Sequence, residues 1–307
     1  MLVSVDFKQK DAESYDHVAD AFDKLARLYA TVPARALVAK IDVTARRQVI
    51  DLGCGTGLLA FEVAKASGPD TAVTGIDLSQ GMLAEASAKA EAIGLFDRVR
   101  FRIGDAEALD LPDGFADGLV SLYAFSHFPN PEKAAAEAFR VLAPGGRLAV
   151  AIGSGPQLLT GKGLMRAGVA LRRKWNGIRG REVTACDQID RLVRQHLSVM
   201  PEGKVADWAS GRRDVTALLH SLLQTAGFQD CRRDWAGTDY SVPDIEALWT
   251  LQTTISTFAR KHIAAASGAE NAKLKEAFRA ECETILQCKG RLTYRVGAAI
   301  ISARKPY

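Results

Sequence analysis

Acidic residues and one histidine stand at the ends of short apolar runs, and their spacing is the first sign of chemistry. Asp51 lies in the run Val49-Ile50-Asp51-Leu52, followed by glycines at 53, 55 and 57. Alternate glycines let the backbone turn tightly and approach a ligand with no Cβ in the way. A dinucleotide fingerprint needs glycine at its first, third and sixth positions. Here the sixth position is Leu58, and the third glycine, Gly57, comes one place early. A carboxylate just ahead of the turn repels a pyrophosphate but attracts an amino group. Asp77 closes the run Thr71-Ala72-Val73-Thr74-Gly75-Ile76. An ionised carboxylate only accepts hydrogen bonds, so it suits two vicinal hydroxyls. Asp105 and Glu107 follow a third apolar run, and His127 follows a fourth. An unperturbed imidazole titrates near neutral pH and can take a proton from a reacting group.

These residues need a scaffold that brings several strand ends together. Val49–Leu52 reads as a buried strand, and Leu58–Lys65 as a helix with an apolar stripe. The helix start offers free N–H groups and a partial positive charge. Thr71–Asp77 is a second strand, followed by a helix with Ser79 as N-cap. Val99–Ile103 is a third strand. Gly118–Tyr123 is a fourth, with Ser121 and Tyr123 at its carboxyl end. Ala134–Leu142 is helical, and Pro144-Gly145-Gly146 turns the chain into strand five. A helix over 214–226 precedes a sixth strand near Cys231–Trp235, and Leu292–Ala303 alternates as the last. Strands alternating with helices define an α/β, Rossmann-like doubly wound fold, whose ligands bind outside the carboxyl ends of the strands. The core takes in about 45–153, 212–241 and 290–307, in a single catalytic domain over 1–307. Cover helices occupy 10–44. Helical insertions at about 154–211 and 242–289 form a lid that shapes an acceptor pocket.

Further segments carry a resemblance. Tyr15-Asp16 followed by Phe22-Asp23 is similar to a "YD…YD" entry segment, with Phe22 at the second tyrosine. Asp77-Leu78-Ser79-Gln80-Gly81-Met82-Leu83 fits "D-x-S-x-x-M-L", and Gly104-Asp105-Ala106-Glu107 fits "G-D-A-E". Leu111-Pro112, Phe115 and Asp117 approximate "L-P-F-x-D", with Asp113-Gly114 intervening. Ala124–Pro131 is similar to "A-L-H-H-L-P-D-P"; it keeps the second histidine as His127 and has Ser126 at the first. In this order the motifs resemble class I S-adenosylmethionine (SAM) dependent methyltransferases of the ubiquinone/menaquinone-biosynthesis-like group (methyltransferase type 11).

The resemblance implies a seven-stranded, mostly parallel sheet with an antiparallel last strand, and SAM as cofactor. Asp51, Gly53, Cys54, Gly55 and Gly57 then cradle its amino-acid part. Asp77, with Leu78, takes the ribose. Asp105, Ala106 and Glu107 take the adenine, with Met82 beneath it. Tyr15 folds over the cofactor, and Ser121 and Tyr123 line the crevice. His127 is the candidate base. His17 lies beside Tyr15 in the entry segment, while His220 sits in an apolar helix and reads as core.

Composition narrows the remaining choices. A net charge of +4 is too mild for a nucleic-acid partner. No apolar run is long enough to span a bilayer, and the first residues lack a signal-peptide pattern, so a cytoplasmic location is expected. Five scattered cysteines with no C-x-x-C pair speak against a disulfide framework and a metal site, and against an arsenite-type acceptor. The chain has no Asn/Asp-Pro-Pro-Tyr segment after strand four, which speaks against adenine or glutamine-amide methylation. Tryptophan and phenylalanine in the insertions point to a small, largely apolar or aromatic acceptor, methylated on oxygen, carbon or nitrogen. Basic residues at 162–174 serve either an anionic substrate or peripheral contact with an acidic membrane surface, or form a solvated face. No feature sets an oligomeric state. Two other classes stay open: an NAD-linked oxidoreductase, and a SAM-binding regulatory protein without catalysis.

Overall fold

The computed structural model describes residues 2–153, 187–197 and 215–307. Helices α1 (Leu2–Asp16), α2 (Ala19–Tyr29) and α3 (Thr31–Val38) precede the sheet. Then follow β1 (Gln48–Leu52), α4 (Leu58–Ala66), β2 (Ala72–Asp77), α5 (Gln80–Ala92), β3 (Val99–Ile103), β4 (Ala116–Leu122), α6 (Pro131–Val141) and β5 (Leu142–Gly153). Beyond them lie α7 (Asp187–His196), α8 (Val215–Thr225), β6 (Gln229–Ser241), α9 (Ile245–Ile255), α10 (Thr257–Ala265), α11 (Gly268–Gln287) and β7 (Thr293–Arg304).

The seven strands form one sheet in the order β3-β2-β1-β4-β5-β7-β6. Pairing is parallel from β3 through β5, and β7 runs antiparallel to β5. This is the doubly wound, seven-stranded sheet with an antiparallel last strand that was expected. The order reverses between β1 and β4, so their carboxyl ends open a crevice at the switch point.

Both faces of the central strands are covered, which is why they read as unbroken apolar runs. Ile50, Leu52, Leu119, Leu148 and Val150 pack on one face with α6 and α8 residues such as Ala138, Leu219 and the fully buried Phe125. Val49, Val120, Ala149 and Ala151 pack on the other, with Leu37, Leu59 and Val63 of α3 and α4. Leu142 begins β5 rather than closing α6; Gly145, at φ +75°, carries the turn within it.

The described residues divide into two compact units. The first holds α1 to β5, α8, the start of β6, the end of β7 and the last residues. The second holds α7 and α9–α11. In the second, Ile189, Leu192 and Val193 of α7 are buried, as are Leu248 and Leu251 of α9 and Leu274, Phe278 and Cys282 of α11. The α11 start carries a full capping box between Ser267 and Glu270. The basic stretch at 162–174 lies outside the described residues, as do Val205 and Trp208.

Candidate active site

A cavity opens at the carboxyl ends of β1, β2 and β4, walled by α1 and α2. The glycine turn forms its floor. Gly53, Gly55 and Gly57 all have positive φ, at +70°, +50° and +83°. A Cβ at Gly53 would lie 2.2 Å from the Ala124 Cβ, so that position excludes any side chain. A Cβ at Gly55 would meet nothing within 4 Å and would stand in the cavity itself. The turn therefore leaves open space at the start of α4, where backbone N–H groups and the helix dipole favour negative charge.

Asp51 lies at this floor, fully buried, and neither carboxylate oxygen makes a hydrogen bond of ordinary geometry. Burial pushes its carboxyl up to about 8; the Ala60 backbone amide draws it back only in part, and Asp77 adds to the rise. Asp77 is better held: it accepts from the N–H of Gly55 (2.8 Å) and of Ser79 (3.0 Å). Burial still outweighs these bonds and raises its pKa. Asp77 thus pins the glycine turn to the start of α5 while facing the cavity. Burial also raises the Cys54 thiol well above its ordinary range. It is a small wall residue, with its Sγ 3.7 Å from the Gly55 carbonyl.

At the far end, Asp105 accepts from the Glu107 N–H at 2.9 Å and from Lys8 Nζ at 2.7 Å. Lys8 also donates to Glu107 at 2.6 Å. Burial alone lowers the Lys8 pKa, but the two carboxylates outweigh it and the net shift is upward. Glu107 is buried beneath the site and further accepts from the Asn130 N–H (2.7 Å) and Nδ2 (2.9 Å). Its role is to hold the loop before α6.

Tyr15, Leu78, Met82, Ala106, Tyr123 and His127 complete the predicted residues that line the cavity. Tyr123 sits at φ +63°, and its hydroxyl is buried with no hydrogen-bond partner; burial raises the phenol. Three predicted residues do not line the cavity. Ser121 is fully buried and donates to the Leu52 carbonyl at 2.7 Å, tying β4 to β1. Gly57 caps α4, where a Cβ would meet Phe101 at 2.7 Å. Glu107 lies behind Asp105.

Other site residues escaped the sequence reading. Lys8, Asp11, Ala12 and Tyr15 all line the cavity. Their spacing of three, four and seven marks one face of a helix. The signal was present, but the face is polar, so a search for apolar periodicity passes over it. Asp23 of α2 accepts from Thr56 Oγ1 at 2.9 Å and from Lys89, which also reaches the Thr56 carbonyl at 2.5 Å. Asp16 accepts from Ser79 Oγ (2.5 Å) and the Gly81 N–H (2.9 Å), fixing the end of α1 on the start of α5.

Residues 49–146 match the family model described as a methyltransferase domain. With the sheet order and the crevice above, this places the chain among the class I SAM-dependent methyltransferases, whose cofactor is SAM. Within that class it is of the ubiquinone/menaquinone-biosynthesis type. It is 47% identical over 106 residues to a demethylmenaquinone methyltransferase of Thermus thermophilus, covering 34% of this chain and 47% of that one. It is 36% identical over 114 residues to the 27-O-demethylrifamycin SV methyltransferase of Amycolatopsis mediterranei, covering 37% and 41%. These matches span less than half the length of either relative. The solved structure of the [4+2]-cyclase SpnF shares the fold, with a TM-score of 0.58, 22% identity and 97% coverage of both chains.

The residues fit the cofactor of this class. An unpartnered buried carboxylate, Asp51, awaits a cation beside the open space at Gly55, and an acceptor carboxylate, Asp77, stands one strand away.

Proposed function

We propose that this chain methylates a small, largely apolar acceptor with SAM. The unpartnered Asp51 carboxylate at the glycine turn supports this reading most directly. A buried charge that lacks a partner is costly, and an amino-acid ammonium group relieves it. On this reading Asp51 holds the amino group, Asp77 accepts from the ribose hydroxyls, and Asp105 with the Ala106 N–H takes the adenine edge. Met82 and Leu78 give the ring an apolar bed. When bound, SAM supplies a sulfonium-activated methyl carbon for in-line displacement.

The protein's part is to bind, align and exclude water. Phe22, Ala26, Tyr29, Ala30 and Phe128 make the rest of the lining apolar, which fits an aromatic or aliphatic acceptor. Acceptor selection by the helical insertions belongs to the same proposal. So does a location in the cytoplasm; among the described residues no helix is long and apolar enough to cross a membrane.

The test is calorimetric titration with S-adenosylhomocysteine (SAH). Micromolar binding is expected. It should weaken roughly ten- to a hundredfold in Asp77→Ala, the scale of a charge-assisted hydrogen bond of about 1.5–3 kcal/mol. Equal binding by the variant removes the ribose assignment. Tight binding of NADH instead, followed by its fluorescence, would replace the reading with an oxidoreductase. Binding of SAH with no transfer to any acceptor would favour a regulatory protein.

A further inference from the structure

We propose that Asp11, on α1, is the positioning residue that makes His127 a base, and that the acceptor is one that must lose a proton. The inference rests on the methyltransferase reading for its chemistry but on separate geometry for its residues. Asp11 is buried, and its Oδ2 lies 3.1 Å from His127 Nδ1. A carboxylate only accepts, so Nδ1 carries the ring proton and donates it. In the neutral ring the lone pair is then on Nε2. That atom lies 3.4 Å from the Tyr15 hydroxyl, which donates to it, and the two rings meet edge-on at 5.7 Å. All three side chains line the cavity. The His127 side chain is 34% exposed, so the base stays reachable. The contact with Tyr15 is at the outer limit of a hydrogen bond, so an incoming hydroxyl can displace it.

The step this arrangement serves balances as follows. The acceptor O–H gives its proton to His127 Nε2. The acceptor oxygen forms a bond to the methyl carbon as the carbon–sulfur bond breaks, and the electron pair stays on sulfur, leaving a neutral thioether. Asp11 stabilises the imidazolium that results. A thioether acceptor has no proton to lose, and an amine attacks through its own lone pair before it loses one. The site therefore favours a phenol or alcohol.

The experiment is 15N NMR of the full chain labelled at histidine, with the His127 signal assigned through His127→Gln. The parent should show the Nδ1–H tautomer. Asp11→Asn should shift it towards Nε2–H, because an amide can donate to Nδ1; Asp11→Glu should restore it. An Nε2–H ring in the parent, or no change in Asp11→Asn, overturns the assignment. SAH affinity of Asp11→Asn should stay within about threefold of the parent's; a loss beyond tenfold would make Asp11 part of the cofactor site and overturn it as well. Because the tautomer is read in the free protein, failure of SAH to bind the parent would sink the methyltransferase reading without touching this one. For the acceptor class, methyl-labelled SAM is offered with a catechol, a naphthol, a primary amine and a thioether. Label should appear on a hydroxyl compound alone, with kcat falling roughly a hundredfold in Asp11→Asn at nearly constant KM. Label on the amine or the thioether, or on neither hydroxyl compound, overturns it.

Discussion

A carboxyl group buried without a partner, like that of Asp51, makes the cofactor-free protein sensitive to pH in a direction that can be worked out. The unfolded chain ionises this group near its ordinary value of 3.8, whereas the folded chain keeps the proton up to about 8. Across that window the folded state binds more protons. The stabilising effect is complete below 3.8 and lost as pH rises through about 8, at ~1.4 kcal/mol per pH unit. Asp51→Asn should therefore unfold at a temperature that depends less on pH between 5 and 8 than the parent's does. Equal slopes would show that Asp51 is ionised or paired. Binding an ammonium group reverses the balance and expels the proton. SAH titrations at pH 7 in two buffers of different ionisation enthalpy should thus register proton release, and Asp51→Asn should register less. At this scale the sequence was legible where a residue's type and strand position define its task, as at Asp51, Asp77 and Asp105. It was illegible where the task depends on which helix lands opposite. Nothing local to Asp11 or Lys8 shows that β4 and β3 will present His127 and Asp105 to them.

At the scale of elements, the join between α1 and α5 shows how helices outside the sheet are fixed. Gly81 lies in the first turn of α5, and a Cβ there would come within 2.8 Å of the Asp16 Cα. In an exposed helix, alanine for glycine adds ~1 kcal/mol of stability. Here the obstruction is backbone. Gly81→Ala should dislodge α1, and limited proteolysis should cut within the first 20 residues faster while leaving the sheet core intact. An unchanged digestion rate would mean that α1 can shift without loss. The Ser79 cap on α5 was legible as a serine after a strand, and its side chain accepts from the Met82 N–H at 3.1 Å. The start of α1 was not. Its residues have almost no apolar stripe, because the helix turns a polar face, with Lys8 and Asp11, towards the cavity.

At the scale of the molecule, a ligand that binds only the folded state stabilises it by mass action. SAH at a hundredfold its dissociation constant should add ~2.7 kcal/mol and raise the melting temperature by several degrees. Asp77→Ala at the same ligand concentration should show little of this rise. The strand order was legible because each strand of the core is followed by its own motif, and the doubly wound fold leaves few ways to arrange them. The second unit was legible only as helices, since apolar spacing gives a helix its buried face but not its neighbour.

Lys8 ties α1 across the crevice to Asp105 and Glu107, and this has a consequence for exchange kinetics. One wall of the cavity is a helix held by ion pairs rather than by a deep apolar seam. Ligand residence time then follows how often that helix lifts, and added salt, which screens such pairs, should shorten it. Stopped-flow dissociation of SAH should quicken from low to high ionic strength in the parent, and show a flatter response in Lys8→Met.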